Sequence, residues 1–445
     1  MIRTYELDMC RGPLLHRILT FSIPLVLSGI LQLLFNAADI VVVGRFSGSN
    51  ALAAVGAASA LINLLVNLFI GFAAGVNVMV ARYIGIKNEK AVQETVQTAI
   101  AMAGIAGLIL TIIGFVLAKP LLEILGTPAE VIDLSVNYMR TYFMGMVGML
   151  VYNFGSAVLR GIGDTRRPLY ILVIAGIINV ILNLFFVVIL HLDVVGVGLA
   201  TAISQFLAAG LIVYCLCSAR GWYRLVLDKC CIRTNRMREI ASVGIPAGLQ
   251  GAIFSLSNML IQSSVNTFGT VAIAGNTAAA NLEGFVYTSM NALHQTALSF
   301  ISQNYGAGKF ERIKRIKRIC LLIVLAMGGV SGGLFFIFGK ELLEIYISDE
   351  QAIAFGMIRM SLVCAFEAFS GIMDVMSGCL RGIGYSIQAT AITLVGVCGF
   401  RAFWIFTIFD ASPKPEVLFI SFPISWGLSF LVQWIYFGTK NSKRH

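Results

Sequence analysis

Apolar residues in this 445-residue chain come in runs of about 20 to 30, long enough as helices to cross the roughly 30 Å hydrocarbon layer of a bilayer. No soluble domain carries so many such runs. With 58% hydrophobic and only 12% charged residues, the chain falls in the polytopic membrane class, and the usual conversion of length into soluble domains does not apply. Twelve spans are read from the runs, roughly at 14–42, 51–80, 95–118, 139–159, 168–190, 194–217, 240–266, 271–302, 318–338, 356–380, 388–409 and 416–437. The first begins near Pro13 and is too long for the apolar region of a signal peptide, so it is read as a span. Nine cysteines, an odd number with no CxxC pair, read as small hydrophobes rather than a disulfide framework.

Charge sets the orientation. The net charge of +10 does not require nucleic acid, because Lys and Arg gather in the inner loops of membrane proteins. With the N-terminus inside, 25 of the 32 Lys and Arg fall in inner segments, 6 in outer ones (Arg359 among them), and Arg401 lies within a span. That asymmetry puts both termini in the cytoplasm of a multi-pass protein of the cell's inner or plasma membrane. The longest connection, Ser218–Glu239, is basic and follows the sixth span. It divides the chain into an N-terminal six-helix lobe, 1–220, and a C-terminal one, 221–445, with 221–239 as a cytoplasmic linker. The basic amphipathic stretch KFERIKRIKR, Lys309–Arg318, is expected to lie on the anionic inner surface of the membrane.

The halves echo each other. LRGIG at Leu159–Gly163 recurs at Leu380–Gly384, an offset of 221. ARYIGIK at Ala81–Lys87 is echoed by QNYGAGK at Gln303–Lys309, and SIP at Ser22–Pro24 by GIP at Gly244–Pro246. An even number of spans per repeat makes the repeats parallel, a transporter plan with a central cleft and rocking lobes. Pro24 and Pro246 match across the repeats and are expected to bend their spans.

Polar residues inside spans are expensive against lipid and mark protein- or water-facing surfaces. Ser28, Gln32, Asn36 and Asp39 share one face of the first span. Asp39 reads either as the acid of an internal site or as an acid at the outer interface, six residues from Arg45. In the eighth span Glu283, Tyr287, Met290 and His294 share a face, with Glu283 near mid-depth. Glu367, Ser370 and Asp374 do so in the tenth. These acids read as a second proton site or a substrate anchor, or as neutral acids that lock helices together. Gln250, Phe254, Asn258, Gln262 and Asn266 form an amide-rich face of the seventh span, suited to lining a cleft or to helix packing. Arg160 and Arg381 begin glycine turns and read as structural. No GxxxxGK[ST] loop and no His/Cys metal spacing is present, so neither an ATP-driven pump nor an enzyme is expected.

LRGIGDTRRP after the fourth span, LRGIGYS after the tenth, QNYGAGK after the eighth and NAADIVVVGR in the first resemble the multidrug and toxic compound extrusion family over nearly the whole chain. The resemblance implies an all-α membrane protein of two six-helix lobes around a cleft, expelling organic, often cationic, compounds in exchange for H⁺ or Na⁺. It also implies partners for Asp39. The positions matching the family's N-lobe cation site are Asn179, Asn183 and Thr201, which together with Asn36 would complete a site for a proton or for Na⁺. Relatives often carry an aspartate where this chain has Asn183, and one carboxylate instead of two weakens the case for sodium. The family's second acidic arrangement falls here on Phe254 and Ser370, leaving Glu283, Tyr287, Glu367 and Asp374 as a substitute.

The expected protein is thus a secondary antiporter with no cofactor beyond its coupling ion. Its expected partners are small organic substrates and membrane lipids, without nucleic acid, and it is expected to act as a monomer. The alternative is a lipid-linked oligosaccharide flippase of similar architecture, which needs a basic cavity. Arg401 reads as the only clear buried base, and the intramembrane acids favour cations. A receptor or scaffold is disfavoured by the short loops.

Overall fold

A computed structural model describes residues 5–229 and 231–442, and their regular structure is helical throughout. The chain runs through α1 (Leu14–Phe46), α2 (Gly48–Ile86), α3 (Glu89–Ile124), α4 (Ala129–Met144), α5 (Met146–Gly161), α6 (Arg166–Leu184), α7 (Asp193–Cys217) and α8 (Thr234–Asn266). It continues through α9 (Thr270–Gly306), α10 (Phe310–Glu344), α11 (Glu350–Leu362), α12 (Glu367–Gly382), α13 (Ser386–Thr393), α14 (Phe400–Trp404), α15 (Pro415–Phe419) and α16 (Ser421–Ser442). Among the described residues, ten helical stretches and the bent pair α4–α5 are long and apolar enough to cross a membrane. The twelfth is α9. Its 37 residues span about 55 Å, but Asn276, Glu283, Asn291, His294 and Gln295 break its apolar run. The eight described cysteines are free, and Cys230 lies outside the described residues.

The internal repeat extends to local geometry. The fourth span bends by 46° between α4 and α5, around Gly145. The tenth breaks at the matching place, where a 3-10 turn, Cys364–Phe366, separates α11 from α12. A π turn, Phe185–Ile189, follows α6, and another, Ile405–Phe409, follows α14. Such wide turns leave an i→i−4 bond unmade and recur at functional sites. Gly163 and Gly384 both take left-handed backbone, at φ 95° and 97°. Lys87 (φ 62°) and Gly308 (φ 68°) close α2 and α9 in the same conformation, which suits a glycine and strains a lysine.

Packing divides the chain into two compact units. The first takes the residues up to Asp8 and Leu27–Gly248, the second Met9–Val26 and the chain from Leu249 onward. Both α1 and α8 therefore change unit two residues beyond their internal prolines, Pro24 and Pro246. In the first unit α5 is central, packed on α2, α3 and α7. In the second, α9 and α12 pack on each other and on α10. The first unit also holds a crossing with no side chains between backbones. A Cβ on Gly71 would lie 2.0 Å from the Gly248 nitrogen, and one on Gly75 2.3 Å from the Ile240 oxygen. Gly244 and Gly248 meet α2 in return. Two small-xxx-small pairs interlock, the arrangement that lets membrane helices touch at the backbone.

The stretch Lys309–Arg318 forms the start of α10, which begins at Phe310 and runs on into the ninth span. Lys309 and Arg312 donate to the backbone oxygens of Met9, Cys10, Arg11 and Gly12, while Gln303 and Asn304 hold Met9.

Candidate functional site

The first unit gathers Asp39, Asn183, Asn179 and Thr201 from three helices. Asn183 uses both amide hydrogens, one on the Asp39 carboxylate in a short bond and one on Asn179 Oδ1 at 3.3 Å. Asn179 Nδ2 in turn donates to Thr201 Oγ1 at 3.4 Å. The i, i+4 spacing on α6 makes this chain possible, by stacking the two amides on one helix face. Asn179 and Asn183 are buried, and Asp39 is half-buried. Asn183 Oδ1 is buried without a hydrogen-bond partner. The cluster thus has a carboxylate, one amide oxygen in use, one amide oxygen unused and a hydroxyl, all within one polar pocket of a span. Asn36 and Gln32 stand apart from it. Both are exposed on α1 and neither joins the hydrogen-bond chain.

In the second unit the expected acids are placed differently from one another. Glu283 is not a lone acid. Arg359 on α11 grips its Oε2 through Nη2 at 2.6 Å and Nε at 3.1 Å. The third nitrogen, Nη1, donates to Asn276 Oδ1 at 2.7 Å, Asn276 donates to Gln262 Oε1, and Gln262 to Asn266 Oδ1. Arg359 is therefore buried inside the unit, whereas the charge count had put it in an outer segment. Sequence reasoning missed it because a single arginine close to the start of an apolar run reads as a boundary residue. Its signal was the intramembrane Glu283, which needed a countercharge.

Arg401 was expected to be the only clear buried base. Among the described residues Arg359, Arg381 and Arg167 are buried as well. Arg401 donates from Nε to Ser425 Oγ at 3.1 Å and stacks on Phe422 at 3.9 Å, an off-water setting that suits a guanidinium. Arg381 donates to Gln250 Oε1 at 2.6 Å and to Thr390 Oγ1, which anchors the LRGIG turn to α8 and α13. Gln250 and Gln262 of the amide face are thereby spent inside the unit, while Asn258 is exposed.

Glu367 begins α12 at the helix break. It is 1% exposed, and neither carboxyl oxygen has a hydrogen-bond partner. Asp374 lies two turns on, buried, and its backbone oxygen accepts from Nδ1 of His294, which fixes the imidazole tautomer. Met290 is buried, whereas Tyr287, one turn before it on α9, is exposed. Among the described residues no group of three or more His, Cys, Asp or Glu is placed to hold a metal ion.

A two-repeat, multi-pass membrane protein with matching broken spans and a polar cluster shared between spans belongs to the secondary-transporter class. The comparisons with known proteins narrow that class. The MatE family model matches residues 24–185 and again 246–407, one copy per repeat. The chain belongs to the MatE family, the multidrug and toxic compound extrusion transporters, and is not an enzyme. It is similar to the probable multidrug resistance protein YoeA of Bacillus subtilis, at 26% identity over 94% of this chain and 92% of the relative. It is equally similar, 26%, to an FAD transporter of Shewanella oneidensis over 86% of this chain and 85% of that one. A solved structure of an outward-facing multidrug resistance MATE family transporter superposes with a TM-score of 0.92, at 20% identity, over 100% of this chain and 99% of that one. At that identity the likeness establishes the fold.

Proposed function

We propose that the protein is an antiporter that exports organic, cationic compounds in exchange for protons, with Asp39 as the coupling acid. The observation that carries this reading is the Asp39–Asn183 hydrogen bond with Asn183 Oδ1 left unmatched beside it. A carboxylate accepts hydrogen bonds only, whereas a carboxylic acid also donates one. A proton on Asp39 supplies the donor that Asn183 Oδ1 lacks, closing a reciprocal acid–amide pair. Loss of that proton reopens it. The two protonation states therefore favour two arrangements of α1 against α6, as coupling requires.

Sodium would use the same atoms, taking oxygens from Asp39, Asn179, Asn183 and Thr201. A single carboxylate among neutral oxygens fits a proton better than a bare cation. Glu367 is the second candidate proton carrier, as a buried carboxyl without a partner at a helix break, while Glu283 is occupied by Arg359. Tyr287 and Asp374 stay with Glu367 as the remaining groups of that second acidic reading.

The test is export of a fluorescent organic cation from proteoliposomes under an imposed pH gradient, with and without Na⁺. The expected result is export driven by the pH gradient alone and abolished in Asp39→Asn, with that variant still folded. Full export by Asp39→Asn overturns the assignment. Export only under a Na⁺ gradient moves the site to sodium.

A further inference from the structure

The first unit contains an apolar pocket that the transport reading does not use. Its volume is about 210 Å³, and its lining is apolar throughout: Phe72 of α2, Ile105, Ala106 and Ile109 of α3, and Ile232 and Met237 at and just before the start of α8 are among its walls. Phe154 of α5, fully buried, forms the floor. Such a pocket is dry and holds hydrocarbon rather than water.

Its polar end is well defined. The loop before α8 is tied to α3 by Thr98, which accepts from the Arg233 N–H at 3.2 Å and donates to the Cys231 carbonyl. Along α3 the lining runs from Met102 to Ile109, a rise of about 10 Å, which covers a good part of one leaflet of the roughly 30 Å hydrocarbon layer. Each of the two lining residues at this end is followed directly by an arginine, Ile232 by Arg233 and Met237 by Arg238. Arg236, between them, is consumed internally by Glu94 and Glu239 at 3.1 and 2.9 Å and by Tyr83. Arg233 shares Glu94 at 3.5 Å and keeps 49% of its side chain exposed. Arg238 is exposed, with no acid within ion-pair distance among the described residues. An apolar slot thus reaches the loop and helix start that carry two exposed arginines, Arg233 and Arg238.

We propose that this pocket is a binding site for one anionic glycerophospholipid, an acyl chain lying in the slot and the phosphate on Arg233 and Arg238. Guanidinium groups match phosphate oxygens in pairs, and a zwitterionic headgroup brings its own competing cation. The lipid bridges α3 to the start of α8, so it supports the loop that Thr98 holds.

The test is native mass spectrometry of the full-length protein in mild detergent, titrated with dioleoyl phosphatidylglycerol and, as the neutral control, dioleoyl phosphatidylcholine. The expected result is one phosphatidylglycerol retained at least about fivefold more than phosphatidylcholine. Ala106→Phe, which fills the slot, abolishes retention of both. The double variant Arg233→Gln/Arg238→Gln, confined to exposed side chains, keeps the fold and loses the preference for phosphatidylglycerol. Equal retention of the two lipids by the unaltered protein overturns the proposal, leaving an ordinary lipid-facing groove. Undiminished preference in the double arginine variant overturns it too, as does phosphatidylglycerol retention unchanged by Ala106→Phe.

Discussion

Arg359 offers the sharpest test of how the second unit is held together. Arg359→Met keeps the length and apolar stem of the side chain and removes the charge. The structure specifies what is lost: two bonds to Glu283 Oε2, at 2.6 and 3.1 Å, and one to Asn276 Oδ1, at 2.7 Å. What remains is a carboxylate with 16% of its side chain exposed and no countercharge. Removing one partner of a buried ion pair costs about 3–5 kcal/mol, mostly through the charge left behind. Removing both charges, as Arg359→Met/Glu283→Gln, costs about 1 kcal/mol, because only the Asn276 acceptor is stranded. At about 2 °C per kcal/mol for a unit of this size, Arg359→Met melts roughly 6–10 °C lower and the double variant about 2 °C lower. The assay is thermal unfolding of purified protein in one detergent, followed by tryptophan emission, with Glu283→Gln completing the cycle. Equal losses in Arg359→Met and in the double variant would refute the reasoning, since the energy would then lie in packing and not in the stranded acid.

Other consequences are more local. Asn183→Ala removes the donor to Asp39, and a charge-assisted bond of about 1.5–3 kcal/mol corresponds to roughly a 10- to 100-fold change in apparent ion affinity, read from the pH dependence of export. Thr201→Val, at the far end of the chain of bonds, changes the same profile by less than about threefold. Gly71→Leu drives a side chain into the Gly248 backbone, so monodisperse protein is not recovered after solubilisation, whereas Gly56→Leu, with open space at its Cβ, is tolerated. Lys87→Gly relieves a left-handed lysine and raises stability by about 1 kcal/mol, measured by thermal unfolding.

The helices were legible because the bilayer imposes one length and one polarity on every span. The cluster around Asp39 was legible through the i, i+4 amides on α6 and the family resemblance, and three of its four expected partners take part. Asn36 does not, because a helix-face argument fixes direction along α1 without saying which direction faces α6. Arg359 was misplaced and the amides of α8 overvalued for the same reason. Both act through pairings across helices, and no periodicity along one helix encodes those. The break in the tenth span is also silent in the apolar pattern; it shows only once the bend at Gly145 is carried across the offset of 221 residues.

The countercharges of the two units bear on how the protein responds to voltage. Buried in the second unit, Glu367 and Asp374 lie among the arginines Arg359, Arg381 and Arg401, and Glu283 is paired with Arg359. Asp39 in the first unit has no ion-pair partner among the described residues, and on the proposed reading its charge changes each time a proton arrives or leaves. On that reading the potential, worth about 2.3 kcal/mol per elementary charge per 100 mV, acts on the cycle through the Asp39 step, and through Glu367 wherever it carries the second proton. On the proposed reading, membrane voltage is a second handle on the Asp39 step, acting in concert with the proton gradient.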